Sequence, residues 1–224
     1  GMMQTTERRN MTVMFSDLKD FTRYSADTTP EKVVGVLNDY FAEMAAIIDK
    51  WDGTLDKYLG DGFLAFWGAP TVQENHAELA LRCSLEMVAT MKRLQRKWIG
   101  ADTAPLNMGI GLNTGDMVVG NMGAREKKMD YTVIGDQVNL GARIEQLTRI
   151  FDAQILIGDS TYDQLSGLFL PRPGGTSALG HVRVVKLGPV QVKGRQIPVT
   201  VYKIVPADEI NGGDQPPLIG PPVS

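Results

Sequence analysis

The chain has 224 residues, 43% of them hydrophobic and 22% charged, enough for one globular domain of upper-middle size with a substantial core. A net charge of -3 predicts no basic face and argues against general nucleic-acid binding, while a single cysteine excludes an internal disulfide framework and fits a reducing compartment. No apolar run approaches the roughly 20 residues of a membrane helix. The start of the chain is polar, with a glycine before the methionine that reads as a cloning scar, so no secretory signal is expected and the expected location is cytoplasmic.

In chain order, residues 1–7 read as scar and linker. The run MTVMFSDL, 11 to 18, predicts a buried strand ending in Ser16-Asp17. Thr28 and Glu31 stand at capping-box spacing around Pro30 and predict a helix start. Its apolar stripe is Val34, Leu37, Phe41, Met44, Ile48 and Trp51, and Gly53 ends it. LDKYLGDGFLAFWG, 55 to 68, predicts a hairpin with Gly60 and Gly62 at its turn. A second helix from about residue 75 carries Met87, Met91, Leu94 and Trp98 at helical spacing, with Cys83 packed inside. Strands at 106–113 and 116–122 are expected to join at Thr114-Gly115-Asp116, so that GIGLNTG, 109 to 115, is a strand with its turn. A further run at 129–134 leads into a helix at 136–150. Short strands at 154–157, 182–187 and 197–204 follow. Residues 206–224 hold five of the twelve prolines and read as a disordered tail.

Hairpins interleaved with helices predict an α+β fold with a mainly antiparallel sheet covered by helices, not a doubly wound parallel one. Asp17 ends the first strand and Asp61 sits in the hairpin turn. If the hairpin pairs beside that strand, the two carboxylates meet at one edge of the sheet. Two carboxylates without a nearby histidine or cysteine suit a hard cation such as Mg²⁺; the structural alternative is a turn aspartate and a helix cap. The strand-to-helix passage from Leu18 to Thr22 offers backbone N–H groups that can bind phosphate, or is an ordinary connection. On the 136–150 helix, Leu140, Ile144, Leu147 and Phe151 form the core stripe. Asn139 and Arg143, at i and i+4, share a neighbouring face and could hold a ribose and a phosphate, or simply be solvated. His76 and His181 have no partner motif and read as surface or core histidines.

In this order, FSDLKDFT, LDKYLGDGFLAFWG, YTVIGDQVNLGARIE and VQVKGRQIPVTVY resemble the four signature blocks of the class III nucleotidyl cyclase catalytic domain, over about residues 8 to 204. The resemblance implies a ferredoxin-like βαββαβ core with extra C-terminal strands. It implies two Mg²⁺ or Mn²⁺ per site on Asp17, Asp61 and the backbone carbonyl of Leu18. Phe21 and Thr22 match the positions whose N–H groups contact the triphosphate, and Lys193 the lysine gripping the terminal phosphates. Lys57 and Thr132 match the pair that reads the purine, Asn139 the residue orienting the ribose, and Arg143 the one stabilising the pentacoordinate phosphorus. Guanylyl members carry a glutamate and a smaller residue at the two base-reading positions, so the substrate implied is ATP. A guanylate cyclase and a catalytically silent nucleotide-binding regulatory domain are the alternatives.

The family shares each site between subunits, which implies a head-to-tail homodimer, with regulatory domains fused in the full-length protein. Two positions depart from the pattern. Asp20 stands where glycine is common before Phe-Thr, and Gly141 where alanine is usual, inside a helix where glycine costs about 1 kcal/mol.

Overall fold

The computed structural model describes residues 6–100, 106–167, 170, 173 and 182–206. The expectations for residues 1–5, for His181 and for the tail beyond 206 fall outside the described residues. The elements are β1 (Glu7–Lys19), α1 (Phe21–Ala26), α2 (Pro30–Lys50), β2 (Thr54–Leu59), β3 (Gly62–Trp67), α3 (His76–Gly100) and β4 (Asn107–Ala124). They continue with β5 (Lys128–Ile134), α4 (Asp136–Ile150), β6 (Ile155–Gly158), α5 (Asp159–Leu165), β7 (Arg183–Val190) and β8 (Val199–Val205).

One eight-stranded sheet runs β2-β3-β1-β4-β6-β8-β7, with β5 added to β4. Its first four strands, in the order β4-β1-β3-β2, are the ferredoxin-like core expected from the sequence. Every pairing is antiparallel except β4 with β6. Both faces are buried, and side-chain alternation assigns them. Met14 and Leu18 of β1, Phe63, Ala65 and Trp67 of β3, and Met108, Ile110 and Leu112 of β4 pack with α2 and α3. Met11, Val13, Leu64 and Phe66 point the other way, where they meet Val133 of β5 and Val138 of α4.

Three local expectations are corrected. The segment around Thr114-Gly115-Asp116 is no turn: β4 runs unbroken through it, with Gly115 opposite Met11 and Asp116 opposite Asn10. Thr114 is buried there, its hydroxyl 2.8 Å from that of Thr12, so pairing with β1 overrides the local turn signal. The α2 cap is Thr29, whose side chain accepts from the Lys32 N–H at 3.4 Å, one residue later than the capping-box spacing suggests. On α2 itself Val34 is 55% exposed, and Val36, Tyr40 and Ile47 take core positions beside Met44 and Ile48. The α3 stripe of Met87, Met91, Leu94 and Trp98 is buried as expected, and so is Cys83. Helix α5, absent from the sequence reading, follows β6 directly.

Candidate active site

Ser16 of β1 lies opposite Phe63 of β3, so the β2–β3 turn sits over the end of β1. Gly62 permits that closeness. A Cβ at this position would lie 2.1 Å from the Ser16 carbonyl oxygen and 2.9 Å from Asp17 Cβ, so only glycine fits. Asp61 Oδ2 in the turn accepts a hydrogen bond from the Leu18 N–H at 3.3 Å. The two carboxylates thus meet at one end of the sheet.

A third element closes on them. Arg149, in the last turn of α4, donates from Nη2 to Asp17 Oδ2 at 2.6 Å, and its Nη1 is 4.0 Å from Glu145 Oε1 one turn earlier. Burial, and after it the Asp17 carboxylate, push the Glu145 carboxyl well above its usual range. Burial first, with Asp17 contributing, also raises Asp61. A site that concentrates negative charge in this way favours a cation.

Asp17 Oδ1 is buried with no hydrogen-bond partner among the described residues. An orphaned carboxylate oxygen beside Asp61 and the Leu18 backbone fits a hard divalent cation, whose ligands are oxygens. Among the described residues no three or more His, Cys, Asp or Glu side chains form a metal-binding group. Mg²⁺ needs no such cage: one or two carboxylates suffice when water and substrate phosphate complete the shell.

The adjoining open cavity, of about 600 Å³, is lined by Leu18, Asp20, Phe21, Thr22, Asp61 and Arg149 among others. Asp20 has φ 61° and ψ 17° and no side-chain cap bond to α1. That left-handed conformation favours glycine and is tolerated by aspartate, which accounts for both the usual residue and its replacement.

A second group forms elsewhere. Strand β5 lies against the outer face of β3, with the Tyr131 and Phe66 rings 6.1 Å apart. It delivers Thr132, 7% exposed, to β2. There the register against β3 shifts between Leu55 and Lys57, leaving Asp56 as the extra residue of a bulge. Thr132 Oγ1 donates to Asp56 Oδ2 at 2.5 Å, and Lys57 Nζ is 3.8 Å from Asp56 Oδ1. Lys57 and Thr132, far apart in sequence, therefore converge on one buried carboxylate. Burial raises the pKa of Asp56, against which the Thr132 hydrogen bond and the Lys57 charge both work.

Asn139 is exposed on α4 and Arg143 is half-buried, its Nη1 donating to Gln146 Oε1 at 3.3 Å. Asn139 is ten residues from Arg149, or about 15 Å along the helix. Lys193 is exposed in the β7–β8 connection, which Arg195 ties to the start of α4 through a 2.6 Å ion pair with Asp136. The structure thus brings Leu18, Asp61, Phe21 and Thr22 together around one cavity, with Asp17 beside it through its ion pair with the lining residue Arg149. Lys57 and Thr132 form a separate group, and none of Lys57, Thr132, Asn139, Arg143 and Lys193 lines that cavity. Helix α4 itself packs tightly: a Cβ at Gly141 would lie 2.8 Å from Val13 Cγ2 of β1, a physical reason for glycine inside this helix.

Residues 3–205 match the family model described as the adenylate and guanylate cyclase catalytic domain. The chain belongs to this family. Adenylate cyclase 1 of Rhizobium meliloti (strain 1021) is 30% identical over 198 residues, and the adenylate cyclase of Anabaena cylindrica 32% over 197, each match covering 88% of this chain. These matches cover only 28% and 37% of the two relatives' own lengths. Among solved structures, the adenylyl cyclase CyaB from P. aeruginosa is similar at 34% identity with a TM-score of 0.78, over 90% of this chain and 96% of that one. The guanylyl cyclase Cya2 is similar at 37% identity with a TM-score of 0.76, over 92% and 96%. These two solved structures, one named for each base, are similar to this chain to nearly the same degree. The choice of base has to be argued from the residues of this cyclase domain.

The sequence reading missed Asp56, Glu145 and Arg149. Regular alternation would have turned Asp56 to the face opposite Lys57, and only the bulge re-aims it. Glu145 and Arg149 left a fainter signal, an acid and a base at i and i+4 beside the core stripe.

Proposed function

We propose that this cyclase domain makes 3′,5′-cyclic AMP and pyrophosphate from ATP, at composite sites of a head-to-tail homodimer. The observation that carries the base assignment is the meeting of Lys57 and Thr132 at Asp56, which pairs a cationic donor with a hydroxyl oxygen. Adenine offers an acceptor at N1 and a donor at its 6-amino group. Lys57 donates to the first and Thr132 accepts from the second. Guanine would set its N1–H against the Lys57 ammonium.

One subunit contributes Asp17, Asp61 and the Leu18 carbonyl, and the other contributes Lys57, Thr132, Asn139, Arg143 and Lys193. The separation of the two groups within one chain supports this division, since a single chain then lacks a complete site. Two Mg²⁺ or Mn²⁺ ions held by Asp17, Asp61 and the Leu18 carbonyl would lower the pKa of the ribose 3′-hydroxyl and offset charge on the phosphates. Asn139 orients the ribose so that its 3′-oxygen faces the α-phosphorus in line with the leaving pyrophosphate. The new bond joins the 3′-oxygen to the α-phosphorus, the hydroxyl proton is lost, and the α–β bridging P–O bond breaks. Arg143 spreads its planar fork of N–H donors over the α-phosphate oxygens as charge builds there. Lys193 and the Phe21 and Thr22 backbone N–H groups hold the terminal phosphates of the leaving group.

The full-length protein would add regulatory domains, as the small covered share of the curated relatives suggests. Among the described residues no helix is long and apolar enough to cross a membrane. The deciding experiment supplies Mn²⁺ with ATP or GTP and measures the two cyclic products. A higher kcat/KM for ATP is expected. Preference for GTP would make the domain a guanylate cyclase, and nucleotide binding without turnover would make it a silent regulatory module.

A further inference from the structure

We propose that Asp56 is a positioning residue for base choice: by taking the only proton of the Thr132 hydroxyl, it leaves that oxygen able to accept and unable to donate toward the purine. The inference rests on the ATP reading given above and deepens it.

A threonine hydroxyl is ambivalent, with one proton and two lone pairs, so by itself it discriminates poorly between a 6-amino and a 6-oxo purine. Here the ambivalence is removed. Thr132 Oγ1 donates to Asp56 Oδ2 at 2.5 Å, and the Asp56 side chain is only 1% exposed, so no water competes for that proton. An ionised carboxylate has no proton to give back, and against the effect of burial Lys57 Nζ, 3.8 Å from Asp56 Oδ1, and the Val133 backbone N–H both favour the ionised form. The same lysine is thereby held beside the threonine. One carboxylate orders both halves of the base reader: Lys57 presents a donor and Thr132 a lone pair. Adenine matches that order at N1 and the 6-amino group. Guanine would bring its O6 lone pairs against the Thr132 lone pairs, a repulsive contact that adds to the mismatch at N1.

The test compares kcat/KM for ATP, for GTP and for purine riboside triphosphate, which lacks the 6-amino group, all with Mn²⁺. Asp56→Leu frees the Thr132 proton to turn toward the base. The preference for ATP over both other nucleotides should fall about tenfold, the scale of one misplaced hydrogen-bonding group. Asp56→Asn keeps an acceptor oxygen and should retain most of the preference. In a Thr132→Val background, Asp56→Leu should leave the ratio of ATP to purine riboside triphosphate unchanged, because the hydroxyl that tells them apart is gone and both present the same N1 acceptor to Lys57. If Asp56→Leu does not fold, Asp56→Ala removes the carboxylate without added bulk and is read in the same way.

A purely structural role would lower all three kcat/KM values together. Unchanged ratios in Asp56→Leu, or an equal change in the ratio of ATP to purine riboside triphosphate in the Thr132→Val background, would overturn the inference while an ATP-preferring parent leaves the adenylate cyclase assignment standing. A parent that prefers GTP or turns over neither nucleotide would defeat that assignment first, and the inference with it.

Discussion

Arg149 Nη2 and Asp17 Oδ2 form a 2.6 Å ion pair between residues 132 positions apart, which fastens the end of α4 to the end of β1. Arg149 lies in electrostatic range of three carboxyl groups, Asp17, Asp61 and Glu145, and Lys19 adds a second positive charge near Asp17 and Glu145. A divalent cation on Asp17 Oδ1 would compete with it for the charge of the same carboxylate. Arg149→Gln should therefore cost on the order of 1 kcal/mol or less without metal, since the arginine is 46% exposed and solvent screens the pair. The same variant should gain more from Mn²⁺. Its rise in Tm on titration with Mn²⁺ is expected to exceed that of the parent, because tighter binding to the folded state adds stability. An equal or smaller rise would separate Arg149 from the cation site.

The division of the site between subunits makes a second prediction. Asp17→Ala and Arg143→Ala should each abolish turnover while preserving the fold, because each damages a different half of every composite site. Mixed, they should recover activity, since a heterodimer pairs one intact carboxylate half with one intact Asn139–Arg143 half. Subunit exchange is checked by mass, and cyclic AMP formation is the readout. Mixed dimers that form and stay inactive would refute the shared site.

Local periodicity and a tight turn placed Asp17 at a strand end and Asp61 in a hairpin, and the family resemblance implied the ferredoxin-like core; the two carboxylates meet because that hairpin does pair beside β1. Other features depend on partners distant in sequence. Thr114-Gly115-Asp116 carries a turn signal, yet pairing with β1 holds it as strand. Val34 fits the α2 stripe, but the face that α2 buries is set by α3 and the sheet, and Val34 is left outside. Asp56 reaches Lys57 and Thr132 only through a bulge, which breaks the period of two on which a strand reading rests. Arg149 finds Asp17 only when α4 lies across the sheet.

Asp20 combines two unfavourable terms at the cavity mouth. Its φ of 61° is a conformation that glycine adopts without strain, and this acidic residue lines the cavity proposed for the triphosphate. Asp20→Gly removes the like charge from that cavity. KM for ATP should fall several-fold with little change in kcat, because the charge opposes ground state and transition state alike. Stability should change by less than about 1 kcal/mol, since relief of backbone strain is offset by the greater freedom of an unfolded glycine. A higher KM would mean that Asp20 assists nucleotide binding.

His76 predicts a dependence of stability on pH. Its ring is 5% exposed, and Nδ1 lies 2.7 Å from Thr12 Oγ1, the first link of a buried hydroxyl chain through Thr114 to Thr161. Burial lowers the His76 pKa from its ordinary 6.5, because a charged imidazole is poorly solvated there. The unfolded chain therefore takes up a proton near pH 6.5 that the folded chain refuses. The stability contributed by the neutral ring is complete above that pH and is lost as pH falls toward the folded pKa. The slope is at most about 1.4 kcal/mol per pH unit. His76→Asn keeps an acceptor for Thr12 and removes the titration. Between pH 7 and 5.5 the parent's unfolding free energy, from urea titrations, should drop more steeply than the variant's, while carboxylates titrate equally in both. Parallel curves would show that His76 is protonated as readily in the folded chain as in the unfolded one.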